Sequence, residues 1–253
     1  MKLRVLGCFG GSAPGMRLTS YLIDERIAVD AGSLTEPLAI REQARITHLF
    51  ISHCHIDHLV TLPFLLDNVL PWAENPITLW GPQETIRNIE EHLFNGSLWP
   101  DFTRIPNEKK PILRMQALAP GQTIEAHGLA ITPFALDHMV ACHGHLIQAP
   151  GAAVAICSDT ASLDGLVRIL PQAVGLKAVI LEASFPRRLA RIAELSRHLS
   201  TDSFAREAAR IPSDVPLLVC HLKPDCVQEI TGEVRGLGMK NVSFLEQDRE
   251  YLF

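Results

Sequence analysis

The residues best suited to chemistry lie in one short segment, His53-Cys54-His55-Ile56-Asp57-His58. This segment directly follows the apolar run 49–51, which is typical of a buried strand. Side chains two positions apart in an extended segment point to the same side, so His53 and His55 can bind one metal ion. Asp57 and His58 follow where the strand must turn, and adjacent residues there diverge enough to reach a second ion. The segment therefore predicts ligands for two metal ions.

Two simpler interpretations of this segment compete with a metal site. A group of histidines can be a solvated loop, and an isolated histidine is usually a hydrogen-bonded core residue. Here, however, potential ligands occupy four of six consecutive positions at a strand end, where side chains are held rigidly. This density favours the metal site.

Further candidate ligands stand where later predicted strands end: Asp137-His138, Ser158-Asp159-Thr160 and His221 within 220–224. Each flanks an apolar run, so these side chains can converge on one edge of the sheets. Asp159 is the natural bridge, because one carboxylate can give an oxygen atom to each of two ions. Taken singly, each could instead be a helix-capping aspartate or a surface histidine.

Two groups of residues are left out of the predicted site. His143 and His145 are rivals of His138, but His145 is interpreted as a packed or hydrogen-bonded histidine that opens a strand. The cysteines form no Cys-x-x-Cys pair and are expected to be reduced thiols outside the ligand set. They are Cys8, Cys54, Cys142, Cys157, Cys220 and Cys226.

Composition excludes several classes of function. The chain has 253 residues, 47% of them hydrophobic, which predicts a single layered domain over residues 1–253. A net charge of −5 without blocks of like charge disfavours binding to nucleic acid. Apolar runs such as 152–157 are far shorter than the roughly 20 residues that span a bilayer, and no signal-peptide segment precedes the first glycines. We expect a soluble cytoplasmic protein without membrane contacts.

Strand and helix patterns alternate along the chain. Strands are predicted at 2–6, 19–24, 26–30, 47–52, 77–80, 113–117, 129–134, 145–148, 153–157, 178–181 and 217–220. Helices are predicted at 36–44, 59–70, 82–93, 163–170, 202–211 and 224–237. Pro63 predicts a kink or late start in the second helix, and the Gly/Pro loop 7–15 is interpreted as a flexible hairpin connection. The pattern predicts two sheets with helices outside.

The order of the candidate ligands resembles the metallo-β-lactamase superfamily, whose motifs run Asp, then His-x-His-x-Asp-His, then His, Asp and His. The resemblance implies an α/β fold, a four-layer αββα sandwich of two mixed β-sheets with outer helices. It also implies two divalent metal ions, Zn²⁺ first, with Mn²⁺ or Fe²⁺ as alternatives. The implied ligands are His53, His55 and His138 for one ion, Asp57, His58 and His221 for the other, and Asp159 as the bridge, with Asp30 behind them.

The C-terminal third carries a narrower resemblance, in residues 180–186, 197–201 and 221–224. These segments look like the bacterial proteins related to class II 3′,5′-cyclic-nucleotide phosphodiesterases and to ribonuclease Z. In those enzymes the His of a His-Leu-Ser/Thr segment protonates the leaving group and a Glu steadies it. The resemblance assigns these catalytic roles to His198 and Glu182.

Three positions depart from the family pattern. Ser158 and Ala161 stand where the family often has Gly, His145 stands where a Tyr is frequent, and segment 59–61 lacks a frequent Gly. The ligands are unaffected by these changes. A lost Tyr can be a lost contact to the substrate, so the departures bear on specificity.

The sequence therefore predicts a dinuclear metal-dependent phosphodiesterase for a small phosphodiester, above all a 3′,5′-cyclic nucleotide. A metal-activated hydroxide would attack, oriented by Asp57, with His198 as the general acid. One alternative is a tRNA 3′-processing nuclease like ribonuclease Z, which needs a long basic arm where this chain has only residues 139–158. Another is a non-catalytic metal-binding scaffold, which would need neither His198 nor Glu182. The expected partner is the small phosphodiester, nucleic acid is disfavoured, and a homodimer is left open.

Overall fold

Two mixed β-sheets organise the computed structural model, which describes residues 1–72 and 74–253. In spatial order the first sheet contains Glu250–Leu252 (β14), Lys2–Gly7 (β1), Ser20–Ile23 (β2), Ile27–Val29 (β3), His48–Phe50 (β4), Ile77–Gly81 (β5) and Leu113–Ala117 (β6). Strands β14, β1, β2 and β3 pair antiparallel, whereas β3 to β6 are parallel. The parallel half places the ends of β3, β4 and β5 along one edge.

The second sheet has the same number of strands. In spatial order it contains Val242–Phe244 (β13), Leu217–Cys220 (β12), Leu176–Glu182 (β11), Ala152–Ile156 (β10), Cys142–Ala149 (β9), Leu129–Leu136 (β8) and Ile124–Ala126 (β7). Strands β10 to β13 are parallel, and β7 to β10 are antiparallel. Strands β8, β10, β11 and β12 therefore run in the same direction and end at the same edge.

Helices cover both outer faces. They are Ile40–Gln43 (α1), Leu62–Val69 (α2), Gln83–Asn88 (α3), Asp164–Ile169 (α4), Ala190–Ser196 (α5), Thr201–Ala208 (α6) and Val227–Gly236 (α7). A π-helical turn, Ile89–Leu93, extends α3, and 3₁₀ turns lie at Ile56–His58, Leu170–Gln172, Arg187–Leu189 and Pro224–Cys226. Within residues 1–72 and 74–253, no helix combines the length and the apolar character needed to cross a bilayer.

Three apolar layers hold these elements together. Tyr21 and Phe50 belong to the layer between the sheets. A second layer, including Leu62 of α2, packs under the helices of the first sheet, and a third, including Phe204 of α6, packs under those of the second. This arrangement confirms the predicted αββα sandwich of two mixed sheets.

Several element predictions need correction. His145 does not open a strand, because β9 already begins at Cys142 and pairs with β8 from that residue onward. The helix predicted at 36–44 is only the short α1. The one predicted at 59–70 begins at Leu62 with Pro63 in its first turn, which is the late start that Pro63 predicts. Helix α5 and strands β7, β13 and β14 were not predicted, since the helix has seven residues and each strand only three.

Candidate metal centre

Nearly every predicted ligand stands just beyond the carboxyl end of a strand. Asp30 follows β3, the segment 53–58 follows β4, and His138 follows β8. Asp159 follows β10 and His221 follows β12. Because these strands share one edge of the sandwich, side chains far apart in sequence meet there.

Two ligand clusters share one carboxylate. In each cluster one nitrogen or oxygen atom from every residue lies within 4.8 Å of the others. The first cluster is His53, His55, His138 and Asp159, and the second is Asp57, His58, Asp159 and His221. Asp159 is buried between them, with Oδ2 3.6 Å from His53 Nε2 and Oδ1 3.3 Å from His221 Nε2.

Unpartnered atoms test whether this arrangement suits metal ions. Among the described residues, His53 Nε2, His58 Nε2, His221 Nε2 and Asp159 Oδ1 are buried without a hydrogen-bond partner. Buried polar atoms are almost always paired, so four unpaired atoms facing one space require another occupant. Imidazole nitrogen and carboxylate oxygen are the donors that Zn²⁺ and similar divalent ions take. The residues fit the group that the resemblance implies.

The opposite ring nitrogens fix how these imidazoles point. His58 Nδ1 donates to Asp30 Oδ2 at 2.8 Å, and Ser52 Oγ donates to the same oxygen at 3.0 Å. With its proton committed to Asp30, Ser52 Oγ accepts from His53 Nδ1 at 3.0 Å. His138 Nδ1 donates to the Arg197 carbonyl at 3.0 Å. For His53 and His58 this leaves Nε2 unpaired and available to a metal ion. His138 Nε2 lies 3.2 Å from His55 Nδ1, so these two nitrogens of the first cluster face each other.

The protonation states of the buried ligands favour binding of cations. Burial lowers the pKa of His53 well below its ordinary value, so this imidazole stays neutral. Burial acts on His58 in the same direction, but the carboxylates of Asp159 and Asp30 raise its pKa well above the ordinary value. Burial would raise the pKa of Asp159, yet His221 and His58 hold it well below its usual range. The bridging carboxylate is therefore ionised.

A second group lies against the metal clusters. His198 Nδ1 lies 2.9 Å from Glu182 Oε1, and His198 Nε2 is turned inward, 3.9 Å from Asp159 Oδ2. Glu182 is fully buried and also accepts from the backbone N–H groups of Thr160 at 2.7 Å and Leu199 at 3.1 Å. Burial would lower the pKa of His198, but Glu182 raises it above the ordinary value. The imidazole is held and kept protonatable beside the clusters.

Ser184 is a site residue that the sequence analysis missed. Its hydroxyl donates to Glu182 Oε2 and lies 3.1 Å from His221 Nδ1, from which it can accept. One buried side chain thus joins the His198 pair to a candidate metal ligand. The alternation of an extended segment, which puts Glu182 and Ser184 on the same side, is the signal that could have found it.

The residues left out of the predicted site lie outside both clusters. Cys142 Sγ lies 3.7 Å from His53 Nδ1, the nitrogen turned away from the cluster. Burial raises the pKa of this thiol well above its ordinary value, so no thiolate is offered. His143 and His145 are buried in β9 and belong to neither cluster.

Comparison with known families agrees with this geometry. A family described as "cAMP phosphodiesterases class-II" matches residues 36–154. The curated Ribonuclease Z of Limosilactobacillus reuteri is 28% identical over 159 residues, which is 58% of this chain and 49% of that protein. The chain thus spans about half the length of this relative.

Two solved structures share the whole architecture. The metallo-beta-lactamase fold protein YhfI from Bacillus subtilis superposes with a TM-score of 0.79 and 19% identity, covering 99% of each chain. Unliganded PDE1 from yeast gives a TM-score of 0.80 and 17% identity, covering 98% of each chain. The chain has the metallo-β-lactamase fold, and its resemblance to the phosphodiesterase and ribonuclease Z branch is confirmed.

Proposed function

We propose that this protein is a dinuclear metal-dependent phosphodiesterase that hydrolyses a small phosphodiester, most specifically a 3′,5′-cyclic nucleotide. One observation carries the proposal: two ligand clusters share Asp159, and His198 Nε2 lies 3.9 Å from the same carboxylate. A metal-binding scaffold needs the clusters alone. An imidazole held by a buried glutamate at their edge, with Nε2 turned towards Asp159, supports a role in proton transfer.

The chain's own residues define where the ions would be held. His53, His55 and His138 would bind one ion, and Asp57, His58 and His221 the other, with Asp159 shared. Two divalent ions bound there supply positive charge to the phosphoryl group and lower the pKa of a water molecule. Zn²⁺ suits these ligands, and Mn²⁺ or Fe²⁺ are accommodated by the same donors.

His198 acts on the leaving group. Glu182 accepts from His198 Nδ1, so the proton that can be given away is on Nε2, which faces the clusters. Cleavage of a phosphodiester leaves negative charge on the departing sugar oxygen, and protonation by His198 neutralises it. Asp57, in the second cluster, is placed to orient the attacking water. Burial would raise the pKa of its carboxyl, but His221 and His58 together lower it.

A nuclease acting on tRNA 3′ ends is the second candidate, because the curated relative is named Ribonuclease Z. The sequence analysis predicts that such a nuclease needs a long basic arm between the residues that correspond to His138 and Asp159. Here the interval is filled by β9, β10 and the tight turn that joins them. This favours the small substrate.

A turnover panel tests the proposal. Protein loaded with Zn²⁺ or Mn²⁺ is assayed on bis-p-nitrophenyl phosphate, on 3′,5′-cyclic nucleotides and on a tRNA with a 3′ trailer. Asp159→Ala, purified in parallel, controls for contaminating phosphodiesterases. We expect the two small diesters to be hydrolysed by the parent protein alone. Faster cleavage of the tRNA would favour the nuclease, and metal-loaded protein inactive on every substrate would leave only the scaffold.

A further inference from the structure

We propose that Lys223 is a further substrate-binding residue, whose ammonium contacts an anionic phosphoryl oxygen on the side of the site where His198 lies. This inference rests on the proposed phosphodiesterase function and narrows its substrate class. It predicts that the site selects phosphate esters with a negatively charged non-bridging oxygen and disfavours neutral phosphotriesters of similar size.

The placement of Lys223 depends on the glycine loop. Lys223 Nζ donates to the Gly10 carbonyl at 2.6 Å. Gly10 is pressed against His221 so closely that a Cβ atom added to it would lie 2.6 Å from both Nδ1 and the carbonyl oxygen of His221. Gly10 therefore packs against a candidate metal ligand, and its carbonyl oxygen holds the Lys223 ammonium. Loop 7–15 is packed on the site and is more than a hairpin connection.

The rest of the side chain is also held in place. The backbone N–H of Lys223 donates to the Ser184 carbonyl at 3.3 Å, and Pro224 begins a 3₁₀ turn directly after it. Lys223 Nζ lies 5.7 Å from the centre of the Phe185 ring, within the range of a cation–π contact. The Phe185 ring in turn lies 5.8 Å from that of His198. The ammonium and the imidazole thus both lie within 6 Å of the centre of one aromatic ring.

The ammonium keeps unused capacity for an anion. A lysine side chain has three N–H donors, and among the described residues its hydrogen-bond acceptor is the Gly10 carbonyl alone. No carboxylate in the described part of the chain pairs with it, whereas the surface residues Arg187, Arg188 and Arg210 are each ion-paired. The half-buried charge is also felt at His198, whose pKa it lowers against the effect of Glu182. An anionic ligand would supply the missing partner.

The chemistry of the ligand follows. A phosphodiester carries one negative charge shared by its non-bridging oxygens. Negative charge also builds up on the leaving oxygen as its bond to phosphorus breaks. The Lys223 ammonium can stabilise this negative charge, while His198 remains the group that donates the proton. A phosphotriester offers no charged oxygen, so the ammonium gains no ion pair with it.

The test compares Lys223→Met with Lys240→Met, a matched change at an exposed lysine in the turn before β13. Binding of inorganic phosphate to metal-loaded protein is measured by calorimetry, and kcat/KM is measured on bis-p-nitrophenyl phosphate and on a p-nitrophenyl phosphotriester. A hydrogen bond to a charged group corresponds to about 10- to 100-fold, so Lys223→Met should weaken phosphate binding and diester turnover by that factor. Triester turnover should change by less than about 3-fold, since a neutral ester contributes no ionic partner. Lys223→Arg, which keeps the charge, should recover part of the phosphate affinity.

Each outcome decides the point. Equal losses on diester and triester, or unchanged phosphate binding in Lys223→Met with intact metal content, would overturn the role of Lys223. Phosphate binding does not require turnover. If the parent protein hydrolyses nothing, the proposed function fails, and a loss of phosphate affinity in Lys223→Met would still support the anion site.

Discussion

Two sets of buried histidines differ in what surrounds them. His53 and His58 lie in the metal clusters, and each has one ring nitrogen engaged by Ser52 or Asp30 and the other unpaired beside Asp159. His143 and His145 lie in β9 and each has an unpaired Nδ1 as well, yet in the described part of the chain neither joins a cluster with a carboxylate. Burial lowers their pKa values to about 4 and about 3. Burial of histidine is therefore not what makes a metal site; the orientation of free nitrogens around a shared carboxylate is.

The largest expected effect comes from removing that carboxylate. Asp159→Ala should lose both metal ions and all measurable turnover, because both clusters share its oxygen atoms. His143→Ala, which removes a buried histidine outside the clusters, should lose neither. Metal analysis and turnover of the two variants measure this. If His143→Ala lost metal and Asp159→Ala kept it, the comparison between the two histidine sets would be wrong.

Removing the proton donor should separate catalysis from metal binding. General acid catalysis typically contributes about 10²- to 10⁴-fold, so His198→Ala should lose turnover by that factor on diesters with alkoxide leaving groups. On p-nitrophenyl diesters the loss should be much smaller, since p-nitrophenolate scarcely needs a proton. Metal content should be unchanged. An equal loss on both kinds of substrate would remove His198 from the acid role.

A third prediction concerns Ser184, whose hydroxyl orients the candidate ligand His221 without being a ligand itself. Ser184→Ala leaves His221 Nδ1 without its hydroxyl partner, and loss of such a contact typically weakens metal binding by about 10- to 100-fold. Chelator competition measures the affinity directly. Ser184→Thr keeps the hydroxyl and should retain most of the affinity, and Ser243→Ala, at an exposed position of β13, is the matched control. Wild-type affinity in Ser184→Ala would show that the hydroxyl does not orient the ligand.

The smallest expected effect concerns His145, in the second set of histidines, and is a change in the free energy of unfolding with pH. His145 has a pKa of about 3 in the folded protein against an ordinary 6.5, so the unfolded chain binds the extra proton first as the pH falls. Its contribution to stability is complete above pH 6.5 and is lost as the pH falls towards 3. Between pH 7 and pH 5 this amounts to roughly 2 kcal/mol.

Denaturant unfolding at both pH values measures this contribution. His145→Gln should lose less stability than the parent protein on acidification, by about that amount. His92→Gln, at an exposed histidine, should behave like the parent. Identical pH dependence in all three proteins would show that His145 is not kept neutral by burial.

The grouping of the candidate ligands could largely be predicted, because most of them stand in short, recognisable segments at strand ends. Segment 53–58 and residues such as His138, Asp159 and His221 each follow an apolar strand, and strand ends meet at one edge of a sandwich. The apolar periodicity likewise predicted most of the strands.

What could not be predicted depends on contacts between distant segments. The role of Gly10 follows from its approach to His221, and Ser52 lies within reach of Asp30 only after β3 and β4 pair. Hydroxyls and glycines have many ordinary uses, so their types alone do not mark them. His145 was placed at a strand start because its flanking residues are polar or small, whereas pairing with β8 extends the strand to Cys142.

The central claim is that two ions share Asp159. Elemental analysis of metal-saturated protein, together with anomalous scattering from crystals of it, tests this most directly. We predict close to two divalent ions per chain, one beside each of the two clusters. A single ion at saturation, with Asp57 and His221 free of metal, would contradict the account.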